Sequence, residues 1–120
     1  MTEIQNNKQY DLEDRTLKFA KDTRLFVKII SRSISNFEDV KQLVRSSGSV
    51  GANYIEANES LSKKDFIFRI KICRKEAKES RYWLNLIDIG SSELEQERQK
   101  LINEVTEFMK IFGSIVEKTK

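Results

Sequence analysis

The chain has 120 residues, 38% hydrophobic and 34% charged, with no proline and four glycines, a balance that suits a thin, solvent-rich helical domain better than a thick α/β core. Its net charge of +3 is too mild to declare a nucleic-acid binder by itself, so the placement of the charges matters more than their sum. The absence of histidine removes the commonest general base and metal ligand, including the Glu-x-x-His pairs of ferritin-like di-iron bundles, and the lone Cys73 has no partner for an intrachain disulfide.

The expected fold class is all-α, with residues 1–10 (MTEIQNNKQY) as a flexible polar tail and 11–120 as one four-helix-bundle domain. The tail has no apolar stretch of the kind a secretory signal needs, and no run reaches the length of a membrane span. With the unpaired cysteine, this predicts a cytoplasmic protein that meets no membrane.

A first helix is expected over 12–33, with Leu12, Phe19, Phe26, Val27, Ile30 and Ile34 on its core stripe. Lys21, Arg24, Lys28 and Arg32 lie opposite, where a solvated face is the preferred reading. Leu17, Leu25 and Ile29 fall outside the core stripe and point to a second contact surface. Ser35 and Glu38 have capping-box spacing, with Asn36 as the alternative cap, so a second helix is expected over 37–59. Its core stripe runs through Val40, Leu43, Val44, Ser47, Val50, Gly51 and Tyr54. The segment SSGSVGAN inside it is rich in small residues, and glycine costs a helix about 1 kcal/mol against alanine. The apolar period passes through it unbroken, which predicts a continuous helix whose small side chains admit a close neighbour.

The third helix, expected over 63–89, starts at a Ser62-x-x-Asp65 box and ends at Gly90. Its surface divides into three. Phe66, Ile70, Cys73, Ala77, Ser80, Leu84 and Ile87 make a core stripe. Phe68, Ile72, Trp83 and Leu86 make a second apolar stripe, which one bundle does not need and a neighbouring subunit would cover. Lys63, Lys64, Lys71, Arg74, Lys78 and Arg81 make a basic stripe with no acid inside it. The fourth helix, expected over 92–118, is capped by Ser91 or Ser92, with Glu93 and Glu95 against its N-terminal dipole. Leu94, Leu101, Val105, Phe108, Phe112 and Ile115 supply a heptad pattern that Ile102, Met109 and Val116 widen into a core face. Four helices of this length with short connections predict an up-down-up-down antiparallel bundle.

The second helix also carries a motif. QLVRSSGSVGANYIEA places Gln42, Arg45, Ser49, Val50, Asn53 and Glu56 at the spacing Q-x-x-R-A-x-x-S-I-x-x-N-I-A-E-G, and SKKDFIFRIKICRKEAKES adds Ser62, Lys64, Phe66 and Glu79 in register. These two blocks, in order and spacing, resemble the bacterial four-helix-bundle family known as the 23S rRNA intervening-sequence proteins. The resemblance covers about Gln42 to Leu84, with Ala57 where the family usually has glycine, Ser46 where it has alanine, and Lys75-Glu76 in place of a Gly-Ser pair. It implies a homopentamer, five bundles set as a barrel around a channel, encoded within 23S rRNA gene insertions or standing alone. A related member, the accessory protein of diversity-generating retroelements, implies nucleic acid and a reverse transcriptase as partners.

Three candidate sites follow. Gln42, Arg45, Ser49, Asn53, Glu56 and Glu79 form a polar cluster, which without histidine or an obvious nucleophile reads as a structural element at a helix or subunit interface rather than a catalytic centre. Phe68, Ile72, Trp83 and Leu86 would stack bases or pack a neighbouring subunit, and the mixed aliphatic content favours packing. Lys63, Lys64, Lys71, Arg74, Lys78 and Arg81 would contact phosphates; in one chain a solvated face is an equal reading, but repetition around a ring adds the contacts together. Cys73, on the core stripe, reads as a small buried hydrophobe, and neither a cofactor motif nor a metal-ligand set appears. The reading is a non-enzymatic, ring-forming scaffold that binds RNA or DNA. An alternative is a module holding a nucleic-acid enzyme, and a weaker one is a small enzyme using Arg45, Asn53 and Glu56.

Overall fold

The structure, a computed structural model, describes residues 2–120, with side chains described from residue 12 onward. Four helices make up the fold: α1 (Thr2–Ile29), α2 (Ile34–Asn58), α3 (Lys63–Leu86) and α4 (Ser92–Thr119). No strand occurs among the described residues. α1 packs on α2 and α4, and α3 packs on the same two, in a body of 46 × 27 × 19 Å.

The helix boundaries follow from local chemistry, and four differ from the sequence pattern by more than one residue, among them the end of α1, at Ile29 rather than at residue 33. α1 already begins at Thr2, so the backbone is helical through residues expected as a loose tail. Neither proline nor glycine interrupts that stretch. Met1 and the side chains of residues 1–11 lie outside the described residues. α2 begins at Ile34 because Ser33 is its cap, its hydroxyl accepting from the Asn36 amide at 3.1 Å. The capping box at Ser35 does not form, because Ser35 already lies inside the helix, and Asn36 is recruited elsewhere. Asn36 is buried, and its Nδ2 donates to the Ser31 carbonyl at 2.9 Å and the Asp88 carbonyl at 2.7 Å. Its Oδ1 accepts from the Asp88 amide at 3.1 Å, so one side chain ties the α1–α2 and α3–α4 connections together. Ile34, expected on the core stripe, is 90% exposed, since the chain reverses before it and breaks the helical register.

α3 stops at Leu86, ahead of Gly90. Its cap, Ile87, turns to ψ 133 and sinks into the core with Ile89. Gly90 supplies the positive φ of 70° needed to reach Ser91, which caps α4 by accepting from the Glu93 amide at 3.2 Å. Ser62 caps α3 through the Asp65 amide at 3.1 Å.

Inside, Phe19 meets Phe108 edge-on with centroids 5.6 Å apart, and Tyr54 lies 6.0 Å from Phe112. α2 is continuous through its small-residue segment, where Ser46 and Ser47 are fully buried. A methyl group on Gly51 would come within 2.9 Å of Thr16 Oγ1, so α1 approaches this turn more closely than any side chain permits. That close approach offsets the glycine's helix cost.

Candidate functional site

α3 is the element on which the candidate residues converge. Ile70, Cys73, Ala77, Ser80 and Leu84 face the core, and this divides the rest of the helix into a flank toward α2 and a flank toward α4. Burial pushes the Cys73 thiol up to about 12, which makes it an inert core residue and no nucleophile.

The α4 side carries the basic stripe. Lys63 and Lys64 stand exposed in the first turn of α3, and Lys71, Arg74 and Lys78 are exposed further along. Arg81 is half-buried, its Nη1 donating to Thr106 Oγ1 on α4 at 3.4 Å. Arg74 lies beside Gly113, where an added methyl would sit 3.6 Å from Nη1. α4 thus meets both arginines with uncharged residues. Among the described residues, none of the six forms an ion pair with an acid.

The α2 side is the reverse. Arg45 Nη2 reaches Glu79 Oε1 at 3.0 Å and Glu76 Oε1 at 3.4 Å, and Lys75 Nζ lies 3.8 Å from Glu79 Oε2. Arg69 Nη1 donates to Asn53 Oδ1 at 3.2 Å, while Asn53 Nδ2 donates to the Ser49 carbonyl and hydroxyl, both at 2.9 Å. Deeper in, Ser80 Oγ lies 2.9 Å from both Ser46 Oγ and the Glu76 carbonyl oxygen. Glu76 is only 6% exposed, and its Oε1 accepts no hydrogen bond among the described residues, so Arg45 is the cation that answers it.

The motif cluster is therefore assembled in part. Arg45, Ser49, Asn53 and Glu79 come together within one chain, whereas Gln42 and Glu56 stand exposed with no side-chain bond in the network. Arg69 and Glu76 belong to it and were not expected; their spacing of seven, two turns along the α2-facing side, is the signal that carries them. Arg45, Asn53 and Arg69 each donate to an acceptor within the chain, and among the described residues no nucleophile stands beside a base in this cluster.

The second apolar stripe is split. Phe68 and Leu86 are 61% and 50% exposed, but Ile72 and Trp83 are half-buried and Trp83 packs against the core. The helical period separates these cases: Phe68 and Leu86 lie five turns apart at one angle, and Ile72 and Trp83 lie about 40–60° nearer the α2 side. Tyr82, absent from the expected sites, is 59% exposed, and its ring stands edge-on to Trp83 at 5.0 Å and 80°.

Residues 8–114 match the family described as 23S rRNA-intervening sequence protein. A crystal structure of a protein of unknown function from the S23 ribosomal protein family of Bacteroides thetaiotaomicron is similar over 87% of this chain and 96% of its own, at 34% identity and a TM-score of 0.76. No curated protein matches the chain. Among the described residues, no helix is long and apolar enough to cross a membrane.

Proposed function

The chain belongs to the 23S rRNA-intervening sequence protein family, and on that premise we propose that it is a non-enzymatic accessory protein that binds the backbone of RNA or DNA. The binding surface is the basic flank of α3, formed by Lys63, Lys64, Lys71, Arg74, Lys78 and Arg81. One observation carries this reading: six cations share one side of a helix without an acid partner among the described residues, over an α4 surface that offers Thr106 and Gly113. Cations left unpaired in the free protein are available to displace counterions from phosphates. None is placed to read a base edge, so the binding is to backbone and shape.

The bundle is antiparallel and up-down-up-down in this reading. Asn36, Ser46 and Asn53 ascend α2 as their partners Asp88, Ser80 and Arg69 descend toward the start of α3, which supports that order. The bundles form a ring-shaped homo-oligomer, a pentamer, that repeats the basic flank and makes modest contacts additive. Leu17, Leu25 and Ile29 on α1, each more than half exposed, and Leu86 at the end of α3 support a covered outer surface, with Phe68 left outside it.

The test is binding of a labelled RNA and the same DNA sequence to wild-type protein and to Lys71→Glu/Arg74→Glu/Lys78→Glu, with mass followed by sedimentation. Loss of binding at unchanged mass supports the reading; equal binding by both proteins overturns it. A second reading, a module that holds a nucleic-acid enzyme such as a reverse transcriptase, is favoured by the neighbouring exposed Ile34 and Phe37, 90% and 65% accessible at the start of α2. It predicts capture of that enzyme that survives nuclease treatment.

A further inference from the structure

We infer that the basic face of α3 takes single-stranded nucleic acid, with the exposed rings of Tyr82 and Phe68 as stacking platforms for unpaired bases. This rests on the proposal that the same face contacts phosphates.

Two aromatic rings stand in an unfavourable place. Tyr82 and Phe68 are 59% and 61% exposed on a helix whose core needs neither of them. They bracket four of the six cations, Lys71, Arg74, Lys78 and Arg81: Lys71 follows Phe68 by three residues and Lys78 precedes Tyr82 by four, so each ring shares a helix face with a positive charge. From Phe68 to Tyr82 is about 21 Å along the axis at 1.5 Å per residue, within the reach of a short oligonucleotide. The acids of α3 between the two rings, Glu76 and Glu79, are both engaged by Arg45, which leaves this face net positive.

Tyr82 is also preset. Its ring stands edge-on to Trp83, which packs against the core, so a base stacking on the tyrosine orders little that was free before. A duplex keeps its base faces stacked on one another and offers such rings nothing. A single strand presents them, and base–aromatic stacking combined with a cationic track is how sequence-tolerant single-strand sites are built. Four lysines or arginines without the rings would serve duplex and single strand alike; the rings decide between them.

The full-length protein is titrated with a labelled oligo-uridylate of about 15 nucleotides, within the span of such sites, and with a duplex of equal length at one salt concentration. Trp83, the single tryptophan, lies beside Tyr82 and reports stacking through its emission. The expected result is tighter binding of the single strand with a change in Trp83 emission that the duplex does not cause. Tyr82→Ala weakens single-strand binding roughly tenfold, as loss of one stacked base does, and leaves duplex binding unchanged. Tyr82→Phe retains the wild-type affinity, and Phe68→Ala repeats the loss independently. Equal affinity for both ligands, with Tyr82→Ala and Phe68→Ala silent on both, overturns the inference and leaves the phosphate track standing. A changed assembly mass in Tyr82→Ala with unchanged single-strand affinity also overturns it, since the ring then packs on another copy. Binding of neither ligand by the wild type overturns the phosphate track and this inference together.

Discussion

Along its α2-facing flank, α3 answers its charges within the chain: Glu76 and Glu79 share Arg45, Lys75 approaches Glu79, and Arg69 donates to Asn53. Along its α4-facing flank, Lys71, Arg74, Lys78 and Arg81 meet no acid among the described residues. The two sides belong to one helix but differ in their own residues, since the acids Glu76 and Glu79 lie on the α2 side and the α4 side holds only lysine and arginine. The neighbours add to that difference: α2 supplies an arginine to the acids, and α4 supplies threonine and glycine to the cations. Charge closed inside the fold fixes how two helices meet, and charge left open is free for a ligand.

That contrast predicts opposite responses to mutation. Replacing Lys71, Arg74 and Lys78 by glutamate should lower nucleic-acid affinity at least about hundredfold at moderate salt while the melting temperature stays within a few degrees; anisotropy and circular dichroism read the two effects. Arg45→Ala should do the reverse. It leaves the buried Glu76 carboxylate without its cation, at a cost of about 2 kcal/mol, discounted from the 3–5 kcal/mol of a fully buried pair because Arg45 is 51% exposed. The melting temperature should fall by roughly 8 °C with nucleic-acid binding kept below it. Arg45→Met combined with Glu76→Met should recover most of the loss, as apolar replacement of a buried pair does. A binding defect in Arg45→Ala at full stability would erase the distinction between the flanks.

The glycines sharpen the same comparison by smaller amounts. Gly51→Ala places a methyl 2.9 Å from the Oγ1 of Thr16, whose hydroxyl is already held by the Leu12 carbonyl, and should destabilise by about 1 kcal/mol. Gly113→Ala meets Arg74 at an ordinary 3.6 Å and should stabilise by roughly 0.5–1 kcal/mol through helix propensity, with binding unchanged. Denaturant titration distinguishes the signs.

The core line between the flanks gives a control in pH. Burial raises the Cys73 thiol from 9.0 to about 12 and also raises the Tyr54 phenol. Both groups are more easily ionised in the unfolded chain, so the stability they contribute is complete below about pH 9 and is lost as pH rises toward 12. Urea midpoints should decline over that window, and less steeply in Cys73→Ala.

Much of this arrangement is legible in the amino-acid order. The caps at Ser62 and Ser91, the core stripes of α3 and α4 and the unbroken α2 all follow from spacing and cap chemistry, which are local. The basic stripe is legible for the same reason. The misplacements share a different cause. Ser33 displaces Ser35 as a cap where Asn36 is drawn to Asp88, fifty-two residues away, and Ile72 and Trp83 are half-covered because they lie about 40–60° nearer the α2 side than Phe68 and Leu86. Glu76 reads as a surface charge until the fold sets it beneath Arg45. Periodicity tells which side of a helix is apolar; it does not tell which neighbour stands beside each remaining side.

The most direct test of the open flank is the slope of log binding constant against log salt for a single-stranded RNA. Six phosphate contacts predict a slope of about −4 for wild type, and Lys71→Gln/Arg74→Gln/Lys78→Gln should reduce it to about −2. An identical slope in both proteins, or no binding at low salt, would contradict the claim that these cations are held open for phosphate.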